Sequence, residues 1–335
     1  MSSHAQQLSV LVLSGLILVA CDQTPTAPGG TAAERLPDRG LAALSNTWVN
    51  RANLPRVERT ALTTAVLTNA AGQSVLYAIG GRSASGGSLS NVQAYNVATN
   101  SWSDRAPLPR PLYWTNGAGV VNGKIYVSGG VASNRNFRAE LYEYDPKTNT
   151  WRERAPMPTQ GFRGITGVID NRLYVVTYCD QEDCFPFVSG ALYRYNPATD
   201  RWVVLRPPSH YHAWGFGGVI GGKFYVTGSS RALEVFDPAT NQWTDKAPLP
   251  RRRWLGAGAA LGGQLYVIGG FRESSTITVV ATTSVYDPLS DTWSTRAPFP
   301  EPFISLSASR VLLNGKPRIH VVGGTRPGNN RAYIP

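Results

Sequence analysis

Tyr144-Asp145-Pro146-Lys147-Thr148-Asn149-Thr150-Trp151 reads as the end of one strand, a tight turn and the start of another. Asp hydrogen-bonds to backbone two residues on, proline presets φ at the next turn position, and Asn tolerates the left-handed conformation at the last. The flanking aromatic and Trp belong to the paired strands of a hairpin. Working outward, the same phrase returns at Tyr195-Asn196-Pro197 to Trp202, Phe236-Asp237-Pro238 to Trp243 and Tyr286-Asp287-Pro288 to Trp293. From Tyr95 to Trp102 it returns with Val97 in place of proline, and Trp48 follows Asn46-Thr47. Six tryptophans thus recur with a period of about 50 residues.

A second phrase lies between them: Leu76-Tyr77-Ala78-Ile79-Gly80-Gly81, Ile125-Tyr126-Val127-Ser128-Gly129-Gly130, Phe224-Tyr225-Val226-Thr227-Gly228-Ser229, Leu265-Tyr266-Val267-Ile268-Gly269-Gly270 and Ile319-His320-Val321-Val322-Gly323-Gly324. Arg172 to Tyr178 is a copy without the glycines. Paired glycine at a strand end permits close backbone approach. Small-residue runs such as Gly117 to Val121 and Gly256 to Leu261 precede these strands and suit a crowded inner strand. Each period therefore holds four short strands, the content of one propeller blade.

Six phrases in phase over residues 45 to 335 resemble the kelch-repeat β-propeller family. The resemblance implies an all-β, six-bladed propeller of four-stranded antiparallel blades. Ser45-Asn46-Thr47-Trp48 is an outer strand with no blade before it, and Arg331-Ala332-Tyr333 lacks a Trp strand after it. The expected closure pairs them, so that the Trp48 strand completes the last blade and no sheet edge is left bare.

The first residues differ. Leu8 to Ala20 is almost wholly apolar, too short for a comfortable membrane span but suited to a signal peptide. Leu18-Val19-Ala20-Cys21 resembles the lipobox of exported bacterial lipoproteins, which implies cleavage before Cys21 and acylation of its thiol. The organisation read from this is a signal peptide over 1–20, a lipidated Cys21 with a Pro/Gly/Thr-rich tether over 21–44, and the propeller over 45–335. Such a protein stands in the cell envelope, anchored to a membrane and facing the periplasm or the surface. Cys179 and Cys184 remain, and in an oxidising compartment the pair is expected to close as a disulfide.

The formal charge is +11, and all but Lys124, Lys147, Lys223, Lys246 and Lys316 of the 32 basic residues are arginine. For an exported protein this points to anionic glycans, head groups or peptidoglycan carboxylates rather than nucleic acid. A general solvating role for the arginines is the alternative. The chain is expected to be a monomer.

The loops from second to third strand and those leading into each first strand share one face and are the variable ones, and a rigid frame concentrates binding residues on such loops. They supply Arg59, Arg110, Trp114, Phe162, Arg163, His212, Trp214, Arg252 and Trp254 as candidate ligand contacts. Counted back from the second strand of each repeat, Trp114, Phe162 and Trp254 take equivalent places and Trp214 lies one residue off. Trp stacks on sugar faces and Arg pairs with carboxylates, so an anionic saccharide or an acidic peptide is the expected ligand. Kelch repeats also carry structural arginines here, and aromatic side chains can pack between blades. The Cys179–Cys184 loop adds an acidic patch of Asp180, Glu182 and Asp183.

Chemistry is thinly represented. His210-Tyr211-His212 places two imidazoles together, but no third ligand is evident, so no metal site is expected. His320 replaces a strand tyrosine and reads as core. The copper site of galactose oxidase-like kelch enzymes has no counterpart, and no nucleophile elbow, phosphate loop or dinucleotide fingerprint appears. No cofactor is implied. The reading is a binding module. A sugar-active enzyme such as a sialic-acid epimerase or mutarotase-like kelch protein is the alternative, with Glu58, Glu273 or Glu301 as acid or base beside arginine.

Overall fold

The repeated phrases fold as hairpins. In the computed structural model, residues 46–55, 59–69, 71–178, 190–273, 276–324 and 329–335 are described, and they form strands and turns without a helix. Cys21, Cys179, Cys184, Glu58 and the acidic residues between Cys179 and Cys184 lie outside the described residues.

Six four-stranded antiparallel sheets are built from consecutive segments. The first holds Thr63–Thr68, Ser74–Ile79, Val92–Asn96 and Ser101–Arg105, and the second Ala118–Val121, Lys124–Val131, Phe137–Asp145 and Thr150–Arg154. The third holds Phe162–Ile169, Arg172–Tyr178, Ala191–Asn196 and Arg201–Leu205. The fourth holds Phe216–Ile220, Lys223–Thr227, Leu233–Asp237 and Gln242–Lys246, and the fifth Ala257–Leu261, Gln264–Ile268, Thr283–Asp287 and Thr292–Arg296. In the sixth, Leu306–Leu313, Lys316–Gly323 and Asn330–Ile334 are joined by Thr47–Asn50 from the other end of the chain. The register there pairs Trp48 with Tyr333.

Within each sheet the aromatic before the turn faces the Trp after it. Tyr95–Trp102, Tyr144–Trp151, Tyr195–Trp202, Phe236–Trp243 and Tyr286–Trp293 are register partners, and with Trp48–Tyr333 their rings lie 4.9–5.3 Å apart. Their tilted geometry suits aromatic quadrupoles and adds about 1 kcal/mol per pair beyond burial. The second strands are the driest, with Leu76, Ile125, Phe224, Leu265 and Ile319 fully buried. The outer strands keep charged, exposed residues such as Asp104 and Glu153 on the sheet edges, which discourages edge-to-edge pairing.

A latch repeats between sheets. Each Trp Nε1 donates to a backbone carbonyl of another sheet's last strand or the segment just after it: Trp102 to Ala52, Trp151 to Ala106, Trp202 to Ala155, Trp243 to Arg206, Trp293 to Ala247 and Trp48 to Ala297, at 2.7–3.0 Å. The same six residues donate their N–H to Asn100, Asn149, Asp200, Asn241, Asp291 and Asn46. Those six acceptors all sit at φ 53–55°, the left-handed region that Asn and Asp tolerate. The glycine pairs mark a second close approach: a Cβ on Gly80 would stand 2.5 Å from the Leu112 carbonyl oxygen.

Candidate functional site

At the entry to each first strand one residue sits in the left-handed region: Ala61, Trp114, Arg163, Trp214, Leu255 and Ser305, at φ 48–59°. None is glycine, and a Cβ there costs on the order of 1 kcal/mol per residue. A circuit of backbone hydrogen bonds offsets that cost. Trp114 N donates to Ala61 O, Arg163 to Trp114, Trp214 to Arg163, Leu255 to Trp214, Ser305 to Leu255 and Ala61 to Ser305, at 2.6–3.2 Å. Six amides thus satisfy six carbonyls where the chain would otherwise leave them unpaired.

Beneath this circuit lies a cavity of about 190 Å³ lined by the six residues and by the small residues that follow them. Arg163 is the one ionisable residue among the described residues that line it. Its guanidinium carbon lies over the Trp114 ring, 3.3 Å from the centroid, and over the Trp214 ring at 4.2 Å, so the cation is in contact with both indoles. Phe162 adds a third ring at 5.2 Å and is itself stacked on Phe137 at 4.2 Å. Cation–π contacts of this kind contribute about 0.5–2 kcal/mol each.

The structure brings Trp114, Arg163 and Trp214 together and puts Phe162 beside them. It also corrects the counted register: Trp114 and Trp214 are the equivalent pair, while Phe162 and Trp254 fall one residue before the circuit. The cause is an extra residue between Trp114 and its second strand. Trp254 is turned to Phe271, with ring centroids 5.9 Å apart. Arg110 is exposed, and its charge bears on the Tyr142 phenol. Arg252 is half-exposed; its Nη1 donates to Glu273 at 2.7 Å and its Nε to the Ser229 carbonyl.

Two other candidates lie inside the frame. Arg59 is 1% exposed and donates to the Gly80 and Asn91 carbonyls and to Gln93 Oε1 at 2.7–3.1 Å. Arg253 makes the equivalent contacts with the Gly269 and Thr282 carbonyls and a further one with the Val267 carbonyl, and burial brings both guanidinium pKa values down to about 10. His212 is fully buried, its Nε2 2.6 Å from Glu234 Oε2. His320 lies in the core beside Asn330, and burial lowers its pKa to about 3. Ala61, Leu255 and Ser305 were not among the sequence candidates, since a small or aliphatic residue gives no sign that its backbone belongs to a circuit.

The sequence profile of the Attractin/LZTR1 beta-propeller matches residues 41–215, more than half of the chain, and that of the kelch motif matches residues 256–300. The chain belongs to the Attractin/LZTR1 β-propeller family. It is a kelch-repeat propeller, a fold used generally as a binding scaffold. A solved structure of YjhT is similar over 84% of this chain and 94% of its own, with a TM-score of 0.66 and 16% identity, a likeness of fold alone. No match was found among curated proteins.

Proposed function

We propose that this kelch propeller is a closed, six-bladed binding module of the cell envelope that takes a carboxylate-bearing saccharide at its mouth. The reading of six blades rests on the inner strands, which neighbour one another in the order first, second, third, fourth, fifth, sixth and first again. The pairing of Thr47–Asn50 with Asn330–Ile334 and the two sets of six hydrogen bonds support the closure. Export, with a lipid on Cys21, is read from the apolar run and the Leu-Val-Ala-Cys sequence; the Cys179–Cys184 disulfide follows from that compartment.

The single observation that carries the ligand reading is the Arg163 guanidinium set against the rings of Trp114 and Trp214. An arginine set against two indoles joins a cation suited to a carboxylate with aromatic surface suited to a sugar's C–H groups. A sugar isomerase would need a carboxyl poised to exchange a proton. The buried carboxylates Glu143 and Glu234 are fixed anions instead: burial pushes each up, but hydrogen bonds outweigh it and hold both below the ordinary range. Neither lines the mouth, and no carboxyl is among the described residues that do, which favours binding over catalysis.

Indole fluorescence, titrated with sialic acid, hexuronic-acid oligosaccharides and a poly-glutamate peptide, tests the reading. A carboxylated saccharide should quench the signal and its neutral counterpart should not. Arg163→Ala should weaken binding about tenfold, the loss of one charge-assisted contact, and Trp214→Ala should weaken it by up to about tenfold, the loss of one aromatic contact. Arg163→Lys should recover only part, because an ammonium neither stacks nor forks. Binding that is unchanged in Arg163→Ala, or confined to the peptide, would overturn it.

A further inference from the structure

Strands Leu233–Asp237 and Gln242–Lys246 of the fourth sheet place Glu234 directly opposite Asp245. Like charges at such positions repel. The equivalent pairs elsewhere are Gln93 with Asp104, Tyr142 with Glu153, Tyr193 with Val204, Ser284 with Thr295 and Asn50 with Arg331. Only the fourth sheet therefore sets two carboxylates face to face there. The first sheet shows how the place is otherwise neutralised. Gln93 Nε2 donates to Asp104 at 3.0 Å, and the Arg59 cation donates to Gln93. In the fourth sheet Glu234 stands for the amide and His212 for the arginine. With imidazoles neutral, the set carries two negative charges.

The loop residue His210 completes the cluster. Its Nε2 lies 3.3 Å from Asp245 Oδ1, and the ligand atoms of His210, Glu234 and Asp245 all lie within 4.8 Å of one another. Glu234 is already oriented: Ser209 N donates to Oε1 at 2.8 Å, while His210 N and His212 Nε2 bond to Oε2 at 3.0 and 2.6 Å. Hydrogen-bonded support behind a carboxylate ligand is what metal sites use to hold it in place. His210 and Asp245 also border a recess of about 390 Å³ with Ser230 and Arg231. Arg231 turns its Nε to the Leu249 carbonyl, and the neighbouring Lys246 bears on Asp291. The side chains of His210 and Asp245 are 42% and 71% exposed, which leaves them room to close on an ion from solvent.

We propose that His210, Glu234 and Asp245 bind one divalent transition-metal ion of the zinc class, with His212 positioning Glu234. One imidazole and two carboxylates suit Zn²⁺ better than Ca²⁺ or Mg²⁺, which prefer oxygen throughout. Three protein ligands leave a fourth position facing the recess, open to water or to a ligand group. The ion takes the place of the direct His210–Asp245 contact and cancels the cross-strand repulsion.

Calorimetric titration of Zn²⁺ and absorption titration of Co²⁺, on the chelator-treated full chain without a histidine tag, provide the test. Wild type should bind one equivalent and give a visible Co²⁺ band. His210→Ala and Asp245→Asn, both at exposed positions, should each weaken binding about tenfold or more, with melting temperatures confirming that they fold. Asp104→Asn, at the equivalent place in the first sheet, should bind as wild type does. No stoichiometric binding by wild type would overturn the assignment. So would equal affinity in all the variants, which would put the ion elsewhere, on the cysteines for instance.

Discussion

Asn149 shows how much one side chain does here. Its Oδ1 accepts from Tyr144 Oη at 2.7 Å and from Ala106 N at 2.9 Å, and its φ is 55°. Asn149→Ala loses both bonds and leaves a Cβ in the left-handed region without the polar side chain that lets asparagine tolerate it. We expect a loss of about 3 kcal/mol, from about 1 kcal/mol per bond and a similar conformational strain. Asn149→Gly should lose about 1 kcal/mol less, since glycine carries no such strain. Denaturant unfolding of the two variants checks this, and equal losses would show that the backbone conformation is not the issue. Turn chemistry made the left-handed Asn legible in the sequence. Its second role was not legible, because the partner is a backbone N–H and every residue but proline has one. The equivalence counted among the mouth residues slipped by one for a related reason. Trp114 stands ten residues before Lys124, whereas Arg163, Trp214 and Leu255 stand nine before Arg172, Lys223 and Gln264. A count along the chain cannot see where an added residue is absorbed.

At the scale of the element, the second sheet carries a charge cluster that makes its stability depend on pH. Glu143 is 1% exposed in its side chain and lies 2.8 Å from both Lys124 Nζ and Arg152 Nη2; Tyr126 Oη also donates to it at 2.8 Å. Burial raises its pKa, but these hydrogen bonds outweigh burial and leave it below the ordinary 4.5. A depressed folded-state pKa contributes stability that is present above the unfolded value and lost as pH falls through the folded one. The stability gap between wild type and Glu143→Gln should therefore be full at neutral pH and shrink below about pH 4.5. Chemical denaturation of both proteins across that window measures it, and a gap that widened on acidification would reverse the sign. The strands themselves were readable from aromatic and apolar patterning around a repeated turn. The cross-strand partners of Glu143 and Glu234 needed the register, which a single sequence leaves open. Glu234 opposite Asp245 is the clearest case, since the two ends of the pair are separated by a turn and meet His210 only through a loop from before the sheet.

For the whole molecule, the period of about 50 residues gives the number of repeats, and the packing of similar sheets around one axis follows from it. What the period does not supply is how the two ends of the array are protected, and here the first strand answers that need. Thr47–Asn50 pairs with Asn330–Ile334, so the ends of the propeller share one sheet. The bond from Arg51 N to Asn330 O makes 51 and 330 a hydrogen-bonded pair, so Asn50 and Arg331 form the adjacent non-hydrogen-bonded pair, with Cα atoms about 4.5 Å apart. That spacing is within the range of a disulfide. Asn50→Cys with Arg331→Cys, in a chain whose Cys21, Cys179 and Cys184 are changed to Ser, therefore tests the closure. Oxidation of the native protein should form one intramolecular disulfide, seen by mass and by non-reducing mobility, and should raise the melting temperature. Two free thiols in the folded protein, or dimers joined through them, would contradict a propeller whose last sheet is completed by its first strand.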